Sequence, residues 1–208
     1  MRSVRPKLPC QLQGEWCGRS TMDCADIAVI VLAAGLGTRF GSDKLTVPLN
    51  NLPVGLHIAR TVSTLEFGWR LAVCSVGSLL AQPYREYGFT VIDNANPQKG
   101  QAHSLHLAIK AAEQTEARAV LVTLADMPFV TEALLRRVSA GSALTASYNG
   151  QHAMPPVLFP RGYWAELLNM KGDAGGRSLL HGAEKMDASA TELRDIDVPD
   201  DLVRPESA

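Results

Sequence analysis

Ile27-Ala28-Val29-Ile30-Val31-Leu32-Ala33-Ala34-Gly35-Leu36-Gly37-Thr38-Arg39-Phe40-Gly41-Ser42-Asp43-Lys44 sets the architecture of this chain. Residues 27–33 are apolar without alternation, the pattern of a strand covered on both faces, as in the middle of a parallel sheet. The run then breaks into small residues and three glycines, and in open α/β sheets such a loop lies where ligands bind, outside the carboxyl end of a strand. Small residues let backbone N–H groups approach phosphate oxygens, and Arg39 and Lys44 add fixed positive charge for a polyphosphate.

Outward from this stretch, apolar strand-like runs alternate with amphipathic segments, as βαβ units require. Strands are expected at 70–76, 89–92 and 119–125, and helices at about 53–65, 78–87, 100–114 and 131–139. Thr131 is placed to cap the last of these helices. In 100–114, Leu105, Ala108, Ile109 and Ala112 recur at i, i+3, i+4 and i+7, so one stripe faces a core, with Ser104 in or near the first turn. Segments 143–148 and 153–159 flank Asn149-Gly150, a hairpin signal, so the sheet becomes mixed. A helix at 163–170, a loop at 172–177, a short helix to His181 and a closing strand at 193–196 complete the expectation. The fold class is α/β: three layers around a doubly wound, mostly parallel sheet.

A length of 208 residues suits one sizeable core. With 20% charged residues and a net charge of -1, the chain carries no global basic field to attract nucleic acid or an anionic membrane, and neither is expected as a partner. Cys10, Cys17, Cys24 and Cys74 form no CxxC pair, and reduced thiols in a cytoplasmic protein are the expectation. Residues 1–25 contain Arg2, Arg5, Lys7 and Arg19 but lack the apolar stretch of a signal peptide. They are expected to be a disordered N-terminal extension ahead of one domain at 26–208. His103 and His106 stand i, i+3 on one helix, but no third metal ligand accompanies them.

Two common phosphate-binding motifs fail on spacing. A Walker A loop needs Gly-Lys-Ser/Thr, whereas Gly41 is followed by Ser42-Asp43-Lys44. A dinucleotide fingerprint needs GxGxxG, whereas Gly35, Gly37 and Gly41 give GxGxxxG.

The pattern LAAGxGTRFGxxK strongly resembles the signature loop of the MobA-like nucleotidyltransferases, in particular the molybdenum cofactor cytidylyltransferases. Further segments match in order: Asn94 through Gly100 to Ser104-Leu105, Ala125-Asp126-Met127-Pro128, Pro155-Pro156-Val157-Leu158-Phe159, Gly172-Asp173-Ala174-Gly175-Gly176-Arg177, and Asp195-Ile196-Asp197-Val198-Pro199. The resemblance covers residues 27–202. It implies a Rossmann-like, GT-A-like fold and a reaction in which an acceptor phosphate attacks the α-phosphorus of a nucleoside triphosphate and pyrophosphate leaves. Such chemistry needs charge neutralisation and in-line positioning more than covalent help from the protein.

On this resemblance Leu32, Ala33, Ala34, Gly35, Gly37 and Thr38 cradle the nucleotide, while Lys44 and Arg39 hold the β- and γ-phosphates and the leaving group. Asp126, at a strand end before Pro128, is the first magnesium ligand, since Mg2+ takes hard oxygen donors. The second is Asp195 or Asp197, with Asp197 favoured. Asn94, Gly100 and Ser104 contact the nucleotide, although Gln101 and His103 depart from the Gly-Met and small residues common there. Asp173 and Arg177 lie on the acceptor side, where Arg177 suits an anionic phosphate.

Guanylyl-transferring members of the family carry Leu-Ala-Gly-Gly at the loop start, and cytidylyl-transferring members Leu-Ala-Ala-Gly. The chain has Leu32-Ala33-Ala34-Gly35, which favours CTP. The implied acceptor is molybdopterin or molybdenum cofactor, with a molybdoenzyme receiving the product. Guanylyl transfer, transfer to a sugar phosphate, and a non-catalytic nucleotide-binding or chaperone role remain the alternatives.

Overall fold

A computed structural model describes residues 22–35, 43–170 and 179–202. The expectations for residues 1–21 and for Leu36, Gly37, Thr38, Arg39, Asp173 and Arg177 therefore fall outside the described residues.

The strands are β1 (Ile27–Ala33), β2 (Pro48–Leu49), β3 (Leu52–Pro53), β4 (Trp69–Ser75), β5 (Thr90–Asn94), β6 (Ala119–Leu124), β7 (Thr145–Tyr148), β8 (Ala153–Pro160) and β9 (Glu184–Asp187). The helices are α1 (Val54–Ser63), α2 (Ala81–Glu86), α3 (Gln101–Ala112), α4 (Glu132–Ser139) and α5 (Trp164–Asn169). Seven strands form one sheet in the order β5-β4-β1-β6-β8-β7-β9. β4, β1 and β6 pair in parallel, as do β4 with β5 and β7 with β9, while β8 runs against both β6 and β7.

All seven residues of β1 are buried, as their unbroken apolar run demands. Alternate residues serve opposite faces. Ile27, Val29 and Val31 join a core that includes Ile58 of α1, Tyr84 of α2 and Leu134 of α4. Ala28, Ile30 and Leu32 join a second core beneath α3 and α5. The result is the three-layer, mostly parallel architecture read from the sequence.

The hairpin turn at Asn149-Gly150 is present: Gly150 has φ 92°, and Asn149 Oδ1 accepts from the backbone N–H groups of Gln151 and His152. Thr131 caps α4 by accepting from the Leu134 N–H at 3.1 Å. One expectation is corrected. Residues 193–196 form no strand, and the last strand is instead β9, at 184–187, parallel to β7. Leu193 and Ile196 are buried, so their apolar character serves packing beneath a turn rather than sheet pairing. The β2–β3 hairpin is a second departure, missed because each strand has only two residues. Buried His57 holds it from behind, its Nε2–H donating to Leu49 O at 2.8 Å.

Met22 and Cys24 pack against the first core, and the Gly68 N–H donates to Cys24 O. Among the described residues no helix is long and apolar enough to cross a membrane. Cys74 is fully buried on β4, and burial, helped by the negative charge of Asp93, pushes its thiol up to about 12. Since the thiolate is the nucleophile, iodoacetamide at about pH 8 is expected to leave Cys74 unmodified in the folded protein and to label it in guanidinium. Peptide mass mapping checks this, and native labelling at the rate of a free thiol contradicts the burial.

Candidate functional site

Strand order locates the site before any side chain is considered. From β1 the chain moves outward through β4 to β5, then crosses to the other side of β1 as β6. This reversal leaves a crevice at the carboxyl ends of β1 and β6, the switch point at which open α/β sheets bind ligands. Its rims are Ala34-Gly35 and Ala125-Asp126, tied together by the Ala125 N–H donating to Leu32 O at 3.1 Å.

Asp126 follows β6 directly. Ala125 and Met127 on either side are buried, and the Ile196 N–H donates to the Asp126 carbonyl at 2.9 Å. That bond brings the Asp195-Ile196-Asp197 segment, seventy residues later in the chain, to the same strand end. Ile196 is fully buried as an anchor, leaving Asp195 exposed and Asp197 half-buried on either side. Asp197 is further fixed by Asp201, whose Oδ2 accepts from the N–H groups of Asp197 and Val198 at 2.8 Å each. These bonds hold the Asp201 carboxyl below the usual carboxylate range.

Lys44 completes the arrangement from the far end of the glycine-rich loop. It opens a short 3-10 turn, Lys44–Thr46, which Asp43 caps through its side chain. Leu45 is buried and seats the turn on α1 at Gly55, where an added Cβ would stand 2.7 Å from Leu80 Cδ1 and 3.2 Å from Leu45 Cβ. The absence of a side chain at residue 55 is therefore what lets the turn sit so close. So anchored, Lys44 projects its ammonium between two carboxylates, with Nζ 2.8 Å from Asp126 Oδ2 and 2.8 Å from Asp197 Oδ1.

Burial acts to lower the Lys44 pKa, but the charge and hydrogen bond of Asp126, then those of Asp197, outweigh it and raise it. Asp195 shifts in the unfavourable sense. Partial desolvation, then the charges of Asp197 and Asp126, push its carboxyl above the usual range. Among the described residues, negative charge therefore exceeds positive charge in this cluster, and Asp126 Oδ1 is buried with no hydrogen-bond partner.

Those features fit a divalent cation. Two hard oxygen donors converge on one point, and an unpartnered carboxylate oxygen lies beside it. Among the described residues no group of three or more His, Cys, Asp or Glu forms a ready cage. Mg2+ is commonly held by one or two carboxylates and completes its shell with water and substrate phosphates, so Asp126 and Asp197 are a sufficient protein contribution.

The remaining residues singled out from the sequence lie nearby. Leu32, Ala33 and Ala34 are buried at the end of β1, while a Cβ on Gly35 would meet nothing within 4 Å. Asn94 ends β5 fully buried; its Nδ2 donates to Ser104 Oγ at 3.0 Å, and its Oδ1 accepts from the Asn96 N–H. The pair thus ties the 95–100 loop to the first turn of α3. Gly100 enters α3 with φ 84° and ψ 179°, backbone that is open essentially to glycine alone. Gly100→Ala is expected to destabilise the protein by about 1–3 kcal/mol, read as a lowered midpoint in urea denaturation; an unchanged midpoint contradicts the assigned strain.

Sequence reasoning missed a cavity of about 550 Å3 at the β7–β8 hairpin. Because β8 runs antiparallel to β6, with Val157 opposite Val122, this hairpin rises at the same sheet edge as Asp126. The cavity offers cationic and hydrogen-bonding groups from His152, His181 and Lys185 over an apolar wall of Met154 and Leu180. Lys185 Nζ stands 4.4 Å from the centre of the Tyr148 ring. No local motif signals it, because segments 148–154 and 180–185 meet only through the pairing of β7 with β9.

Comparison with known proteins decides the family. A model described as the MobA-like NTP transferase domain matches residues 29–189. The chain belongs to this family. The purine catabolism protein PucB of Bacillus subtilis (strain 168) is 28% identical to this chain over 190 residues, covering 85% of this chain and 91% of that one. The crystal structure of Rv0371c from Mycobacterium tuberculosis H37Rv matches with a TM-score of 0.69 and 24% identity, over 84% of this chain and 95% of that one. A second structure of Rv0371c is of its complex with manganese. Molybdopterin-guanine dinucleotide biosynthesis protein A from Archaeoglobus fulgidus matches with a TM-score of 0.58 and 19% identity, over 84% and 94% of the two chains.

Proposed function

We propose that residues 26–208 form one magnesium-dependent transferase domain that moves a nucleoside monophosphate, CMP in preference, from its triphosphate to a phosphorylated acceptor. The observation that carries this reading is the convergence of Lys44, Asp126 and Asp197 at the switch point between β1 and β6. In the reaction an acceptor phosphate oxygen bonds to the α-phosphorus, the bond from that phosphorus to the β-phosphate bridging oxygen breaks, and pyrophosphate departs.

Asp126 and Asp197 would hold the metal, which when bound supplies charge neutralisation for the phosphates. Lys44 and Arg39 stabilise the charge that accumulates on the leaving pyrophosphate. On the family pattern the loop amides of Gly35, Gly37 and Thr38 take the phosphate oxygens, and Leu32, Ala33 and Ala34 contribute to the same nucleotide site. Gly100 shapes the rim of the nucleotide pocket at the start of α3, where Asn94 and Ser104 brace it. The acceptor enters from the hairpin side, where His152, His181 and Lys185 suit an anionic group; the family pattern adds Asp173 and Arg177 as acceptor contacts. Molybdopterin, or the cofactor built on it for delivery to a molybdoenzyme, is the acceptor we favour.

Pyrophosphate release with CTP, GTP and candidate acceptors tests the proposal. The wild-type protein is expected to turn over with Mg2+ or Mn2+ and to stop in EDTA. Asp126→Asn is expected to lower kcat by about a hundredfold or more, the scale on which loss of one preorganised electrostatic contact acts, with its circular dichroism spectrum unchanged. Near-normal turnover by the folded variant would remove Asp126 from the mechanism, and absence of pyrophosphate with every acceptor would favour a binding role over an enzymatic one.

The nucleotide preference rests on one methyl group. Ala34 is 5% exposed and packs in the core beneath α3, so it leaves less room at the loop start than glycine does. One methyl discriminates by about 1–3 kcal/mol. Ala34→Gly is accordingly expected to shift the CTP/GTP ratio of kcat/KM toward GTP by about tenfold, and an unchanged ratio would place the base elsewhere.

A further inference from the structure

We propose that Lys44 is an exchangeable counter-ion: in the nucleotide-free protein it occupies the position between Asp126 and Asp197 that a divalent cation would take, and it yields that position when a triphosphate arrives. The second half of this statement rests on the function proposed above; the first half rests on geometry alone. Asp126 and Asp197 come from segments 82 and 153 residues from Lys44 in sequence, yet both direct an oxygen at the same ammonium, each at 2.8 Å. A divalent ion bound by those carboxylates needs oxygens at about 2.0–2.1 Å for Mg2+. An ion bound by those carboxylates and an ammonium hydrogen-bonded to the same two oxygens place two positive charges over one pair of anions, so each weakens the hold on the other.

Lysine is suited to such an exchange. Its ammonium is a compact charge on a flexible four-carbon stem, so it can leave one anion for another without movement of the main chain. The main chain is in fact fixed, with the Asp43 cap on one side and Leu45 buried against Gly55 and Leu80 on the other. The ammonium also satisfies the carboxylates only in part: among the described residues, Asp126 Oδ1 stays buried and unpartnered. A bound triphosphate offers Lys44 a denser anion, and its withdrawal frees both aspartates at the moment when metal-chelating phosphates are present. Metal and nucleotide therefore enter together, and free metal is held off in the resting protein.

The test is Mn2+ binding to the full chain without nucleotide, followed by calorimetry and by the loss of the free-ion electron paramagnetic signal, for wild type, Lys44→Met and Lys44→Arg. Lys44→Met is expected to bind Mn2+ about 5–150-fold more tightly than wild type, the usual span of a coupling between two sites. Lys44→Arg, which keeps the charge, is expected to bind as weakly as wild type. A nonhydrolysable CTP analogue is then expected to tighten Mn2+ binding more in wild type than in Lys44→Met, because chelation by the phosphates is common to both and only wild type has a lysine to displace. Should Lys44→Met not fold, Lys44→Gln serves the same comparison, and the rise in melting temperature on adding Mn2+ is expected to exceed that of wild type.

Equal Mn2+ affinity in wild type and the neutral variants overturns the exchange while leaving the metal site of the proposed function intact. Failure of every variant to bind Mn2+, with or without the analogue, overturns both.

Discussion

Complete burial of β1 is the constraint from which the rest follows. A strand with no exposed residue must pair on both edges and be covered on both faces, so its side chains are consumed by packing and its polar backbone by β4 and β6. Nothing along its length is free for chemistry. The first place where the chain regains access to solvent is the carboxyl end, and there small residues replace apolar ones. Function at this end of the sheet is thus a consequence of how the core is built, and the crossing from β5 over β1 to β6 opens a crevice at the same place.

The crevice concentrates charge under partial burial, where electrostatic interactions are strong but desolvation is costly. Lys44 and Asp126 are only 12% and 21% exposed at their side chains, whereas Asp197 is 48% exposed. The Lys44–Asp126 contact is accordingly the more structural of the two, and the Lys44–Asp197 contact is screened more by water. Asp195, facing two other aspartates and one lysine, carries the residual strain as a raised pKa. Among the described residues, Asp126, Asp195 and Asp197 face the single ammonium of Lys44, an arrangement that favours a further cation in the reading proposed above.

Much of this was legible in the residues, and what was not has physical reasons. The all-apolar run 27–33, the Thr131 cap and the Asn149-Gly150 turn are local signals, and each produced the expected element. The meeting of Lys44, Asp126 and Asp197 is non-local. Spacing placed Asp126 at a strand end, but only the family pattern brought Lys44 and Asp197 into the same reading; the Ile196–Asp126 backbone bond explains the proximity of the two aspartates, and the Asp43 cap with Leu45 seated on Gly55 that of Lys44. The 193–196 error arose because buried Leu193 and Ile196 look like a strand to any periodicity argument, whereas they anchor a turn. β9 was passed over because Glu184-Lys185-Met186-Asp187 is polar on an edge strand whose burial is slight. The hairpin cavity was invisible for the same reason that active sites generally are: its residues converge through pairing, not through sequence.

One feature of the sheet separates the two halves of the crevice. β8 is the strand that runs against its neighbours, and its insertion between β6 and β7 lifts a hairpin above the sheet edge where a parallel strand would have brought only a crossover loop. On one side of Asp126 the polar groups of the crevice come from strand ends braced by the core and by buried Ile196. On the other they come from a hairpin and from residues 179–185, where His152, His181 and Lys185 are exposed and make few packing commitments. Substitutions on the hairpin side carry little folding cost, whereas those at Asp126 or Leu45 disturb buried neighbours. A fold arranged in this way ties its charge cluster to the core while the walls of the adjoining cavity stay exposed, so the same architecture tolerates a change of cavity lining without a change of core.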